Sequence, residues 1–199
     1  DLTFAELEGR KKARAFADLV RKYDNPDCRI VAMCSHIGVR EGMHYETNFC
    51  ANESDLLTGK RYENAVLNGT YRVDVHHSED NGITFKYLDG RYETLYGKKQ
   101  RRVSGNWRQE AGLSGEAAKF YQVPFDILVQ NQYKNIVPVG RMIHADSGAF
   151  GALRVMVNLN QLGEAAGTAA FLSLDTGNPV YELDGQDVRK LLIAGGAAL

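Results

Sequence analysis

In the stretch TYRVDVHH side chains alternate, so Asp74 and His76 share one face of a strand pattern and Tyr71, Val73 and Val75 the other. A carboxylate beside an imidazole can orient the ring while the ring moves a proton, which makes the two a candidate acid–base pair. The same spacing also suits an ordinary hydrogen-bonded pair on a strand surface. Arg40 follows another β-rich run, CRIVAMCSHIGVRE, and can bind an anionic substrate; His44 lies just beyond it. The candidates for substrate binding or proton transfer are therefore His76, Arg40 and His44. The remaining histidines are His36, His77 and His144, and no HExxH or equivalent spacing calls for a metal, so no metal site is expected.

A second constellation lies in NIVPVGRMIHADSGAFGALRVMVNLNQLGEAAGTAA, residues 135–170. An apolar run ends in Gly140-Arg141, small residues follow, and a helical pattern carries Gly163 and Gly167. A strand, a glycine turn and a helix start can hold an anionic group, because the first amides of a helix are unpaired and its dipole favours negative charge there. Ser147, Gly148, Ala149 and Gly151 leave room for something close, and Arg154 adds a positive charge near the expected helix start. A tightly packed connection with no ligand explains the same pattern. Gly163 and Gly167, four apart, would let a neighbouring element pack closely. A serine hydrolase is disfavoured, since Ala145-Asp146 precedes Ser147 where GxSxG needs a glycine.

These groups must be placed by the elements around them. LTFAELEGRKKARAFADLVRKYDNP reads as an amphipathic helix with Thr3 and Glu6 at capping-box spacing and Pro26 as its stop. CRIVAMCSHIGVRE reads as a strand, NESDLLTGKRYENAVLNG as two short helical turns broken by Gly59, and GITFKYLDGRYETLYG as a hairpin turning at Asp89-Gly90. Residues 97–115 are polar and basic around KKQRR. A short extended segment surrounds Pro124, NIVPVGR is a short buried strand, and one helix runs from Gly151 to about Ser173. DGQDVRKLLIAGG forms a last helix, capped at Asp184. Strands come early and the long helix late, so the fold class is α+β: a small sheet of mainly antiparallel strands with flanking helices.

Composition narrows the function classes. The 199 residues are 44% hydrophobic and 25% charged with a net charge of -1, so nothing global calls for nucleic acid or an anionic surface. KKQRR with Trp107 nearby is read as a solvated loop rather than a nucleic-acid contact. Cys28, Cys34 and Cys50 form no CxxC pair, which favours reduced thiols and a cytoplasmic location, and no apolar run approaches a membrane span.

Several motifs taken together resemble the FAD-dependent oxidoreductase family, typified near its end by NLLVAGR…A…RV…LGQAAGTAA. Here NIVPVGR is followed by GALRVMVNLNQLGEAAGTAA, and ELEGRKKARAF, IGVRE, SDLLTGKRYENAV, VDVHH and YELDGQDVRKLLIAGGA are similar to that family in the same order. Residues 97–115 look like an insertion. The resemblance implies that Gly140, Arg141, Ser147, Gly148, Arg154 and Val155 lie along a flavin. It also implies a two-domain flavoprotein architecture, with 1–134 as a substrate-side region and 135–199 as the last strand and helices of the FAD-binding domain. Glu164 stands where the family usually has glutamine and is expected to face away from the ring.

The family's GxGxxG turn for the ADP half of FAD has no counterpart among these glycines. The expectation is therefore a C-terminal portion of a FAD-dependent oxidoreductase that holds FAD poorly alone. Its partner would be a Rossmann half, from the same gene or a partner chain. The whole enzyme would move a hydride between a small-molecule substrate and FAD, and a homo-oligomer is compatible. A non-catalytic interaction module that keeps the scaffold without cofactor is the competing expectation.

Overall fold

The computed structural model describes residues 1–98 and 100–199; Lys99, within KKQRR, lies outside them. The chain divides into two compact units, Asp1–Arg40 and Glu41–Leu199. Among the described residues no helix is long and apolar enough to cross a membrane.

The first unit is helix α1 (Leu2–Tyr23) and a returning segment. Its cap is Asp1, whose Oδ1 accepts the Thr3 N–H at 2.9 Å. The expected Thr3–Glu6 box does not form, because Glu6 accepts the Ile37 N–H at 2.6 Å instead. Arg10 donates to the Ser35 carbonyl at 3.0 Å and Arg21 to the Cys28 carbonyl at 2.8 Å, so helix side chains hold the return. That return is not the expected strand, and Val31 is 98% exposed. A β-branched run becomes a strand only when a neighbouring backbone takes its hydrogen bonds, and none of the described residues does so here.

The second unit carries two antiparallel sheets. Strands β1 (Ala65–Gly69) and β6 (Tyr121–Pro124) pair alone. Strands β2 (Val73–His76), β3 (Ile83–Lys86), β4 (Arg91–Tyr96) and β5 (Arg101–Asn106) form a meander in that order. The hairpin at Asp89-Gly90 is as expected, with Lys86 opposite Tyr92. The stretch read as a polar insertion supplies β5 and the short helix α3 (Trp107–Glu110), so it is built into the sheet. Of the two short helical turns expected on either side of Gly59, only the first forms, as α2 (Glu53–Thr58); beyond it Ala65, Val66 and Leu67 are buried in β1 instead. NIVPVGR forms no strand either: Val137 and Val139 pack on the core, Ile136 is exposed, and the backbone forms no ladder among the described residues.

The core lies between the β1–β6 pair and helices α4 (Ser147–Leu153), α5 (Met156–Thr176) and α6 (Gly185–Ala194). The helix expected from Gly151 to Ser173 is thus two helices. Val155 is extended (φ -77°, ψ 148°), which breaks the ladder between them. In an unbroken helix the Ala152 carbonyl would accept the Met156 N–H. It accepts Asn158 Nδ2 at 2.9 Å instead, and the same amide donates to Tyr121 Oη at 3.0 Å. Both side chains are 1% exposed, so this bond network replaces the lost helical one inside the core. Gly163 and Gly167 admit no neighbour: nothing described lies within 4 Å of where a Cβ would stand on either. They sit on the outward face of α5, opposite its buried line of Asn158, Leu162, Ala165 and Ala169. Glu164 is likewise exposed.

Candidate active site

Helix α4 organises the site. Asp146, before its first residue, accepts the Ala149 N–H at 2.7 Å through one oxygen and the Glu53 N–H at 3.0 Å through the other. One carboxylate thereby caps α4 and α2 together, which offsets unpaired amides at both starts. The two chain segments are also joined by a parallel bridge between Ala51 and Ala145.

The small residues of α4 admit other parts of the same chain. A Cβ at Gly148 would stand 2.0 Å from Glu53 Oε2, and Glu53 pairs with Lys86 Nζ at 2.5 Å. A Cβ at Gly151 would stand 2.3 Å from the Asp74 carbonyl oxygen. The helix therefore lies directly on the β2 backbone, closer than any L side chain allows. Arg154 is the C-cap of α4, not a first-turn residue, because the helix starts and ends earlier than its pattern suggests. A cation there complements the negative end of the helix dipole.

Arg154 Nη2 donates to the Asp74 carbonyl at 3.3 Å and lies 3.6 Å from Asp74 Oδ1. His76 Nε2 lies 3.3 Å from the same oxygen. The Arg154 and Asp74 side chains are 12% and 14% exposed, while His76 is 49% exposed. Asp74 Oδ1 is buried and accepts no hydrogen bond of good geometry. It is an anionic oxygen set between a buried guanidinium and an imidazole that reaches solvent. In this arrangement the Asp74 carboxylate faces the imidazole, and Arg154 fixes Asp74.

His76 opens into a cavity of about 530 Å³ lined also by His77, Asp80, Tyr96 and Ser147. His77 is bound at both nitrogens, to Asp80 at 3.1 Å and Thr84 at 2.8 Å, which makes it a structural residue of the loop. The structure thus brings three of the expected residues together: His76 and Ser147 in one cavity, with Arg154 behind Asp74. His44 stands elsewhere, in an irregular segment packed against α4, its ring edge-on to Phe150 at 4.7 Å and its Nδ1 2.8 Å from the Ile143 carbonyl. Arg40 is exposed and ends the first unit. Cys50, near the start of α2, has its thiol pushed above the ordinary range, by burial first and the Asp146 charge second, which disfavours the thiolate.

Sequence reading passed over Asp146, Glu53 and Lys86. The first had a signal, an Asp directly before a small-residue helix start. The Glu53–Lys86 pair spans 33 residues and two different elements, and no local pattern announces it.

The residues fit a flavin along one edge and not along another. Gly140 has φ +109° with open space where a Cβ would stand, and Arg141 beside it is exposed. Ser147 adds a hydroxyl in an open cavity, and the cap leaves the first amides of α4 to other acceptors. Those three can meet a polar, electron-rich ring system. The space over Gly148 is filled by Glu53, Arg154 is turned onto Asp74, and Val155 serves the helix break.

No curated protein and no solved structure matches the chain. A model of one family, described as FAD dependent oxidoreductase, matches residues 1–192. The chain belongs to the FAD dependent oxidoreductase family.

Proposed function

We propose that this chain forms the substrate side of a flavoenzyme that moves a hydride between a small organic molecule and FAD. The observation that carries the reading is the buried Asp74 oxygen held between Arg154 and His76, at a cavity His76 shares with Ser147. Bound FAD supplies the hydride acceptor or donor. Gly140, Arg141 and Ser147 would hold its ring end. His76 takes the substrate proton released as a C–H bond is oxidised, or returns it in the reverse direction. Asp74 orients the ring that carries this proton, and Arg154 keeps Asp74 in place. Residues 1–134 act as the substrate-side region and 135–199 complete the FAD domain. The dinucleotide's pyrophosphate is cradled by a GxGxxG-bearing Rossmann half outside these 199 residues, on the same gene or a partner chain.

The test is the full-length gene product purified without added cofactor. The visible bands of oxidised flavin are expected, and substrates found by bleaching those bands should be processed about 100-fold more slowly by His76→Gln with flavin content unchanged. A full-length protein that is colourless and stays so after incubation with FAD overturns the flavin reading and favours the interaction module. Unchanged bleaching by His76→Gln overturns the role of His76.

A further inference from the structure

Arg72, just before β2, is a cation without a counter-ion. Its guanidinium carbon lies 3.8 Å from the Phe85 ring centre, 5.6 Å from that of Tyr87 and 5.9 Å from that of Tyr71. Nη1 donates to Tyr87 Oη at 3.0 Å, and Nε is buried with no acceptor. Among the described residues no carboxylate forms an ion pair with it. Aromatic faces compensate a cation only in part, and a guanidinium stripped of water on one edge is costly unless an anion meets it.

Beside it lies a cavity of about 540 Å³, apart from the one that His76 lines. Its walls are Arg72, Tyr71, Tyr87, Thr70 and the first turns of α5 at Val157 and Gln161, with no carboxylate among them. The side-chain amides nearby are already committed. Gln161 accepts the Asn68 N–H at 3.1 Å and donates to its carbonyl at 3.0 Å; Asn68 donates to the Ala198 carbonyl at 2.7 Å. The groups left to a ligand are the Arg72 donors and the hydroxyls of Thr70, Tyr71 and Tyr87. The last accepts from Arg72, and its own proton has no acceptor among the described residues. An arginine N–H next to a tyrosine O–H matches the two oxygens of one carboxylate, while Val157 and the Tyr71 ring offer apolar wall. The dipole of α5, whose N-terminal turn lines the cavity, adds positive potential of the same sign.

We infer that this cavity is a binding site for a small organic carboxylate with an apolar or aromatic body, held by Arg72 and Tyr87. The site goes beyond the flavin reading, and its test needs neither flavin nor turnover. Phenylacetate, acetate and inorganic phosphate are titrated into the full chain at constant ionic strength, with amide chemical shifts followed by NMR. Phenylacetate should bind saturably and shift residues around Arg72, and acetate should bind more weakly for want of a body. Tyr87→Phe should weaken phenylacetate several-fold, and Arg72→Met about 10- to 100-fold, as expected for a lost hydrogen bond to a charged group. Tyr87→Phe keeps the ring, so it remains informative if Arg72→Met fails to fold. Phosphate binding as tightly as phenylacetate would overturn the choice of carboxylate. Absence of saturable phenylacetate shifts, or binding untouched by Tyr87→Phe in a folded protein, would overturn the site.

Discussion

The break between α4 and α5 is held by one amide, and Asn158→Leu tests that. Leucine has the same number of side-chain heavy atoms and suits a helix, but its methyls are bulkier, so crowding adds to the hydrogen-bond cost. The replacement removes the donor to the Ala152 carbonyl at 2.9 Å and to Tyr121 Oη at 3.0 Å. Each lost bond is worth about 1 kcal/mol net, and a carbonyl stranded in the core adds about 1 kcal/mol or more. Only the long contact from Tyr121 O–H at 3.5 Å would remain to that carbonyl. The sum is about 3 kcal/mol, or a fall in melting temperature of roughly 6–12 °C for a chain of this size. Tyr121→Phe removes just one of the bonds and should cost about 1 kcal/mol. The double variant should be no worse than Asn158→Leu alone, because the stranded hydroxyl goes with the ring's oxygen. Urea denaturation of the four proteins closes this cycle. If Asn158→Leu falls within about 0.5 kcal/mol of the parent, or if the two costs simply add, the network does not hold the break.

Gly151→Ala should destabilise by about 1–3 kcal/mol, since its methyl would meet the Asp74 backbone rather than a side chain that can yield; thermal melting measures this, and a neutral result refutes the contact. At acid pH the Asp55 cluster gives a signed effect. Burial works against its charge, yet hydrogen bonds from Lys60 at 2.9 Å and Tyr62 at 2.9 Å outweigh that and hold the carboxyl below its ordinary range. The folded protein therefore binds this proton less readily than the unfolded chain. The contribution is present above the ordinary Asp range and lost as pH falls through the lower folded value. Asp55→Asn should flatten that part of the urea stability curve. At the other extreme, burial pushes Tyr121 up to about 12, so its stabilising effect is intact below the ordinary tyrosine value and fades as pH rises to about 12. Phenolate absorbance of the folded protein should show Tyr121, like Tyr62, ionising only at about 12, and Tyr121→Phe should remove one tyrosine from that high range.

The parts of the fold legible in sequence were those written in local pattern. The Asp89-Gly90 hairpin, the cap at Asp184 and the alternation through Asp74 and His76 each need only neighbouring residues. What was not legible depends on distant backbone. The run at 28–41 has strand composition and no ladder partner, and Ala65–Gly69 became a strand because Tyr121–Pro124 lies beside it. The helix break at Val155 was hidden in part for the same reason: Asn158, which takes over the Ala152 carbonyl, is local, but its second partner, Tyr121, is 37 positions away in a strand. In the candidate site, the Asp74–His76 pair could be read from alternation. The placing of Arg154 behind it could not, because that required α4 to end where a longer helix seemed to run.

Four contacts fix the neighbour of His76, Asp74, although the imidazole itself is half open to solvent. Asp146 ties the start of α4 to α2, and Gly148 seats it against Glu53. One turn on, Gly151 presses the helix to the β2 backbone at Asp74, and Arg154 at its end returns to the same residue. Asp74 is thus fixed through its carbonyl by two residues of one rigid helix, and its carboxylate inherits that position. Ser147 begins the same helix, so its place relative to His76 is set by a helix–strand contact instead of a loop. Sites carried on such elements keep their geometry more closely than sites on loops. The glycines at 148 and 151 therefore serve the proposed chemistry indirectly: they bring α4 onto β2, and that contact places Asp74 beside His76.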